Sequence, residues 1–209
     1  MSATIAQWSP ANQERAKEIL EQYPERRSAL MPLMYLASLE HDHASDRAMV
    51  EVASLVGITP AQVKSVVSFY TMFKSEDVGR YLVSVCTSIS CHLLGGDEVL
   101  GAVEETSGVA HGGTGDDGVF SVEHVECIGA CGGAPAVQVN YETIEGVTPE
   151  KAAALIDWLR SSAPPVVLAD EMQQLFGGQR SFPWGPTEAE GATGPVPAFG
   201  PYGSAKEGR

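Results

Sequence analysis

Cysteine is the residue type in this sequence with the clearest capacity for chemistry, and its four copies form two pairs. They are Cys86 and Cys91 in a C-x4-C arrangement, then Cys127 and Cys131 in a C-x3-C arrangement. Each pair follows an apolar run suited to a β-strand, at residues 81–85 and 119–125. If these strands are neighbours in one sheet, the two loops bring four thiols together. Four thiolates can bind a zinc ion or an iron–sulfur cluster.

The spacing within the two pairs leaves several kinds of site open. Structural zinc sites usually use C-x2-C hooks, although spacings up to x4 occur. A C-x4-C loop is wider and suits a [2Fe–2S] core, in which each iron binds two thiolates. The second loop contains Gly129, Gly132 and Gly133, which allow backbone N–H groups to approach the sulfur atoms. Spacing alone favours a [2Fe–2S] cluster, and zinc, a pair of disulfides or unconnected thiols remain alternatives.

The acidic charge of the 209-residue chain is concentrated around the cysteines. The net charge is −14, and residues 81–160, with 12 acidic and 2 basic side chains, carry −10 of it. This balance argues against nucleic acid or an anionic membrane surface as a direct partner. We see no apolar run of membrane-spanning length, and the first ten residues lack the pattern of a secretory signal or a transit peptide. We therefore expect a cytosolic, reducing location, where cysteines favour metal over disulfides.

Residues 1–78 are predicted to form a bundle of helices. Ser9 and Pro10 offer a helix cap and a first-turn proline, and residues 59–62 form a capping box. Apolar residues between positions 49 and 70 recur at i, i+3, i+4 and i+7, which is typical of helices that bury one face. Pro32 interrupts another apolar stretch, so we expect a helix that kinks or restarts there.

Residues 79–162 are predicted to form an α/β (α+β) domain. The pattern indicates strands at 81–85, 119–125, 136–139 and 142–145, a helix near 97–106, and a last helix that begins at Thr148 and Pro149. A strand, helix, strand, hairpin and helix in this order are typical of the thioredoxin kind of sandwich.

Residues 163–209 are predicted to form a C-terminal extension rich in proline and glycine. One short helix is expected around Leu168, Met172 and Phe176. The rest is either disordered or lies extended on a partner subunit. Docking is suggested by four aromatic residues that are unusual in a linker: Phe182, Trp184, Phe199 and Tyr202.

Other motifs carry less weight. Residues 113–118 match G-x-G-x-x-G, but they precede a strand instead of following one, so we interpret them as a turn and not as a nucleotide site. His41 and His43 are expected to be solvated, and His92 to lie beside the cysteines or at the surface without serving as a ligand. We find no arrangement that argues for nucleophilic catalysis.

Longer stretches around the cysteines resemble a known family. These are residues 85–91 and 125–140, with residues 23–30 and 68–73 further upstream. They are similar to the thioredoxin-like [2Fe–2S] subunit of respiratory complex I, which is the E subunit of NADH:quinone oxidoreductase. The resemblance spans about residues 12–160 and implies a helical bundle followed by a thioredoxin-like [2Fe–2S] ferredoxin domain. It also implies that Cys86, Cys91, Cys127 and Cys131 are the ligands of a [2Fe–2S] cluster.

The same resemblance implies a role in electron transfer within a larger enzyme. The cluster would exchange one electron with FMN on a neighbouring flavoprotein subunit that oxidises NADH. Other peripheral-arm subunits would be further partners, on the cytoplasmic side of the inner membrane, and this chain would carry no complete active site. The nearest alternative is the equivalent subunit of an NAD-dependent formate dehydrogenase or hydrogenase. An alternative of another class is a zinc-stabilised interaction module.

Overall fold

The computed structural model describes residues 5–181 of the chain. It divides into two compact units, one ending at Asp77 and the next beginning at Val78. Within residues 5–181 no single helix is long and apolar enough to cross a membrane. Two consecutive helices, Asp46–Val56 and Pro60–Phe69, reach the required length and hydropathy only when counted together, and the chain bends by 117° between them.

The first unit is helical, as predicted. Its helices are α1 Pro10–Glu21, α2 Leu30–His41, α3 Asp46–Val56 and α4 Pro60–Phe69, with a 3-10 turn at Arg26–Ala29 before α2. The predicted caps are present: the Ser9 side chain accepts from the N–H of Asn12, and Thr59 and Gln62 form the full capping box. Gly57 ends α3 in the left-handed conformation. These local signals explain why the helix ends could be read from the sequence.

The helix that was expected to kink or restart at Pro32 begins two residues earlier in the chain. Helix α2 begins at Leu30, so Pro32 occupies its first turn, where a backbone N–H has no partner inside the helix. The helix therefore continues through Pro32 to His41. Nearly all of α2 is buried, which makes it the centre of the first unit.

The expectation that His41 and His43 are solvated is wrong. Their side chains are only 15% and 22% exposed, and they pair with Glu51 and Asp77 respectively. Glu51 is itself buried and also accepts hydrogen bonds from Trp8 Nε1, at 2.7 Å, and Arg47 Nε, at 3.0 Å. Burial alone would raise the pKa of Glu51, but the bonds from His41, Trp8 and Arg47 outweigh it and lower the pKa. The two histidines therefore each pair with a carboxylate of this unit.

The second unit is built on a five-stranded sheet. Its strands are β1 Tyr81–Cys86, β2 Gly113–Thr114, β3 Phe120–Val125, β4 Ala136–Val139 and β5 Glu142–Glu145, in the spatial order β2-β3-β1-β4-β5. Strands β1 and β3 are parallel, and the other neighbouring pairs are antiparallel. The helices are α5 Ile89–Leu93, α6 Gly96–Ser107, α7 Pro149–Ser162 and α8 Ala169–Phe176.

The sequence pattern located four of these five strands. It missed β2, which is two residues long, lies at the start of the G-x-G-x-x-G segment and pairs with β3. That segment is a hairpin connection, because Gly118 donates to the Gly115 carbonyl and Gly115 donates to the Phe120 carbonyl. The prediction of a turn is thus confirmed.

The core of the second unit joins the sheet to three helices. Helix α6 packs on β1, β3 and α7, and α8 packs on β5 and α7. The fully buried side chains include residues from each of these elements: Val83, Phe120, Ile144, Val103, Leu155, Ile156 and Met172.

Part of the predicted C-terminal extension packs on this core. The short helix expected there is α8, and Val167, Met172 and Phe176 lie in the same buried cluster as the sheet. Its other face carries Leu175, which is 53% exposed. The four aromatic residues predicted to dock the tail, from Phe182 onward, lie outside the described residues.

We predict that Met172→Ala destabilises the second unit by roughly 2–5 kcal/mol, because it leaves a cavity at a fully buried site. Leu175→Ala, on the same helix but exposed, is the matched control and should change the free energy of unfolding by at most about 0.5 kcal/mol. Urea unfolding followed by circular dichroism measures both. Equal effects of the two substitutions would contradict the placement of α8 in the core.

Candidate metal centre

The two cysteine loops leave the same edge of the sheet. Cys86 is the last residue of β1, and it lies opposite Val125, the last residue of the parallel strand β3. Parallel neighbours run in one direction, so their carboxyl ends meet at one edge. The two strands that precede the cysteine pairs are therefore neighbours, as convergence of the cysteines requires.

The first loop folds back through a helix that the sequence pattern did not reveal. Helix α5 carries Cys91, and its backbone turns the Cys91 side chain inward while Ile89 and Leu93 remain exposed. Gly96 allows this fold, because a Cβ there would lie 2.8 Å from the Cys86 carbonyl oxygen and 2.9 Å from the Cys91 backbone. As a result Cys86 and Cys91 are each only 2% exposed.

The second loop packs against this buried pair with apolar side chains. Ile128, Ala130 and Ala134 lie against the apolar cluster formed by Cys86, Cys91 and Ala136. Cys127 and Cys131 themselves are exposed, and their sulfur atoms are 3.4 Å apart. Gly129 between them has a φ of +87°, a conformation that glycine adopts at little cost. A 3-10 turn at Cys131–Gly133 and a cis peptide bond between Ala134 and Pro135 then lead into β4.

The surroundings of Cys91, Cys127 and Cys131 shift the pKa values of these three thiols in different directions. Burial raises the pKa of Cys91 to about 11; Cys86 and Cys131 add to this increase, and the N–H of Ala136 opposes it. The N–H of Gly129 and the thiol of Cys131 lower the pKa of Cys127. The pKa of Cys131 is raised by its contact with Cys127, and the Ser90 hydroxyl works against this. Residues of each loop thus affect the pKa of a thiol in the other loop.

The donor set suits a cluster that is shared between two loops. All four cysteines are free thiols. Within the described part of the chain, no three His, Cys, Asp or Glu side chains, the four cysteines included, lie in an arrangement that could hold a metal ion. A [2Fe–2S] core has two irons and takes two thiolates on each. Two thiol pairs, one from each loop and each with N–H or O–H donors, fit this group.

Two polar residues next to the cysteines, His92 and Glu126, lie at the surface. His92 is 59% exposed, and its Nδ1 lies 2.8 Å from Asp97 Oδ2, so it lies at the surface as expected. Glu126 is exposed, and its charge offsets only part of the lowering of the pKa of the adjacent Cys127. Sequence reasoning named Gly129 as a hydrogen-bond donor to the sulfur atoms and missed Ser90 and Ala136. The glycine content of the second loop was the signal for Gly129, and no comparable signal marked the other two.

Comparison with known proteins agrees with this geometry. A family model described as thioredoxin-like [2Fe–2S] ferredoxin matches residues 16–160. The chain belongs to this family. The thioredoxin-like fold predicted from the sequence is thereby confirmed, and the [2Fe–2S] cofactor is confirmed as that of the family.

Several relatives of this ferredoxin family member are components of one enzyme, NADH-quinone oxidoreductase. The E subunit from Mycobacterium tuberculosis is 44% identical over 149 residues, covering 71% of this chain and 59% of the relative. The subunit named E 2 from Rhizobium meliloti is 35% identical, covering 71% and 89%, and the subunit named 2 from Thermus thermophilus is 39% identical, covering 71% and 84%. The match thus spans about three fifths of the length of the mycobacterial relatives.

A solved structure shares the fold of this family member. It is an NAD+-reducing [NiFe]-hydrogenase in the air-oxidised state, with a TM-score of 0.56 and 19% identity. The match covers 63% of this chain and 23% of the hydrogenase chain. At this level of identity the comparison establishes the fold alone.

We predict that the cluster-free protein reacts with iodoacetamide first at Cys127, because this thiol is exposed and has a lowered pKa, and the thiolate is the nucleophile. Cys86 and Cys91 should react last, since both are buried. Peptide mass spectrometry over a time course measures the order. In Cys131→Ala, Cys127 should react more slowly because it loses a hydrogen bond that favours its thiolate. Equal rates at all four thiols would contradict this description.

Proposed function

We propose that this chain is an electron-transfer subunit in which Cys86, Cys91, Cys127 and Cys131 bind a [2Fe–2S] cluster. The observation that carries the proposal is the arrangement of the two thiol pairs. They lie on loops that follow the ends of the parallel strands β1 and β3, at one edge of the sheet. Membership of the ferredoxin family supports it.

The chain's own residues supply the environment that such a cluster needs. When bound, a [2Fe–2S] cluster accepts and releases one electron. The N–H groups of Ala136 and Gly129 donate to the sulfurs of Cys91 and Cys127, and the Ser90 hydroxyl interacts with Cys131. These donors stabilise the negative charge of the thiolates. The apolar packing around Cys86 and Cys91 excludes water from one side of the site.

The assembly that we infer is NADH:quinone oxidoreductase. The relatives at 35–44% identity are named as subunits of that enzyme. In this assembly the chain would exchange one electron with the FMN of a neighbouring subunit that oxidises NADH. It would meet other peripheral-arm subunits at the cytoplasmic face of the inner membrane. The enzyme activity would belong to the complex, because this chain would supply the cluster and not the sites for NADH and FMN.

Two other functions remain as alternatives. The equivalent subunit of an NAD-linked hydrogenase or formate dehydrogenase is supported by the shared fold with the NAD+-reducing hydrogenase, at 19% identity. The identity of the curated relatives favours the quinone-reducing enzyme. A zinc-stabilised interaction module would use the same thiols without redox chemistry.

An exposed apolar surface beside the first cysteine pair suits contact with the electron-transfer partner. Ile89 and Leu93 are each 75% exposed and Leu94 is 60% exposed, on and just after the helix that turns Cys91 inward. A protein on this surface would lie within about one helix diameter, some 10 Å, of the site. The acidic side chains of Asp97 and Glu98 follow at the start of α6, so a partner with basic residues around an apolar centre is favoured.

The ligand assignment predicts that replacing any one of the four cysteines by serine removes or severely weakens the cluster, because a harder oxygen ligand suits iron–sulfur chemistry poorly. Visible absorbance together with iron and acid-labile sulfide content measures this loss. Ser88→Ala, inside the first loop but not a thiol, is the control and should retain the full spectrum. Four serine variants that all keep it would refute the assignment. A colourless wild-type protein that contains zinc would favour the interaction module.

The partner surface predicts that Leu93→Glu weakens association with the flavoprotein subunit at least tenfold, since it places a charge at the centre of an apolar contact. The cluster spectrum should stay unchanged, because Leu93 is exposed and Cys91 is turned inward. Leu175→Glu, at an exposed leucine on α8, is the matched control and should bind normally. Titration of the purified flavoprotein subunit against each variant gives the dissociation constants. Equal constants for Leu93→Glu and wild type would show that the partner binds elsewhere.

A further inference from the structure

The chain beyond α8 passes directly over the second cysteine loop. We call residues 177–181 the strap. A Cβ on Gly132 would lie 3.0 Å from Ser181 Oγ and 3.2 Å from Ser181 Cβ. A Cβ on Gly133 would overlap the Glu145 carboxylate and lie 2.8 Å from the Gln179 carbonyl oxygen. Glycine at both positions lets the strap approach the turn that begins at Cys131.

A buried carboxylate joins the strap to this turn. Glu145, at the end of β5, is only 5% exposed. Its Oε2 accepts two hydrogen bonds from Ser181, one from the backbone N–H and one from the hydroxyl, each 2.6 Å long. Burying a charged carboxylate is unfavourable unless donors compensate it, and bonds to a charged acceptor are stronger than neutral ones. Ser181 therefore stabilises Glu145 in its position against Gly133.

The backbone of β5 is bound on both sides of Glu145. The Gln173 side chain accepts from the Glu145 N–H at 2.8 Å and donates to the Glu145 carbonyl at 3.0 Å and the Gly178 carbonyl at 3.2 Å. Gly178 donates to the same Glu145 carbonyl at 2.7 Å. On the other side, Gly146 donates to the Gly133 carbonyl at 2.5 Å. The helix α8, the strap, the end of β5 and the cysteine turn thus form one connected hydrogen-bonded layer.

The rest of the cysteine loop has less support of this kind. Residues 128–130 line a cavity of about 340 Å³, whose wall also includes Arg180 and Ser181. Arg180 is fixed there by an ion pair with Asp170, at 2.7 Å. Cys131 is exposed and lies at the start of a single 3-10 turn, so its position depends on what holds Gly132 and Gly133.

We propose that Ser181 and Glu145 are positioning residues for Cys131, which the strap holds in place as a cluster ligand. This inference rests on the proposed function, because it concerns the cluster that the cysteines bind. It assigns to a segment 50 residues beyond Cys131 in the sequence a direct influence on the lifetime and electronic environment of the cluster.

The test uses the full-length protein with its cluster bound. Ser181→Ala removes one of the two donors to Glu145 and should speed cluster loss to a chelator about tenfold, the factor expected for one bond to a charged group. It should also change the g-values of the reduced cluster in electron paramagnetic resonance. Ser181→Thr restores the hydroxyl and should recover both. Ser161→Ala, at an exposed serine on α7, is the control and should match wild type.

A second substitution approaches the same contact from the loop. Gly132→Ala pushes against Ser181 and should also speed cluster loss and alter the g-values. Gly101→Ala is its matched control, because a Cβ there meets no atom within 4 Å. This pair keeps the test informative even if one strap variant folds poorly.

The outcomes separate the two proposals. A wild-type protein without a [2Fe–2S] spectrum would overturn the proposed function and the positioning role together. If wild type carries the cluster, unchanged lifetime and g-values in Ser181→Ala and Gly132→Ala would overturn the positioning role alone. A lower thermal stability with unchanged g-values and lifetime would likewise overturn it, since it would show that the strap only stabilises the fold.

Discussion

The parallel pairing of β1 with β3 is the constraint on which the site depends. Cys86 and Val125 end the two strands opposite each other, so both cysteine loops start from one edge of the sheet. A one-residue shift in register would turn the side chains of a strand to the opposite face and separate the thiols. The pairing requires a crossover connection, which α6 and β2 provide between the two strands. The residues that bury α6 and β3 in the core therefore also hold the loops together.

The two loops contribute unequal halves of the site. The first pair is buried among alanine and isoleucine side chains, and the second pair is exposed at the surface. Burial on one side limits access of water, and exposure on the other allows a partner protein to come close. An electron carrier has to meet both demands, since its cluster must be protected and still lie within reach of the next centre. Ile89 and Leu93, beside the buried pair, are exposed and form the surface that we propose for the partner.

The C-terminal segment contributes both stability and geometry to the second unit. Helix α8 supplies Met172 and Phe176 to the core, and its Gln173 side chain donates to the backbone of β5 and of the strap. The strap then brings Ser181 to Glu145, directly beside the cysteine turn. Because these contacts form one layer, the position of Cys131 depends on the packing of α8.

The sequence by itself determined the four thiols, the strands that precede them, the capped helices and the thioredoxin-like order of elements, because spacing, caps and periodicity are local properties of the chain. Tertiary structure decided the features that depend on distant partners. Helix α5 is five residues long with two exposed apolar side chains, and β2 has two residues, so neither shows a period. His41 pairs with Glu51, which lies ten residues away on the next helix, and Pro32 fits a helix start set by the preceding turn. Ser181 meets Glu145 across 36 residues of sequence, a contact that only packing of α8 on the sheet creates.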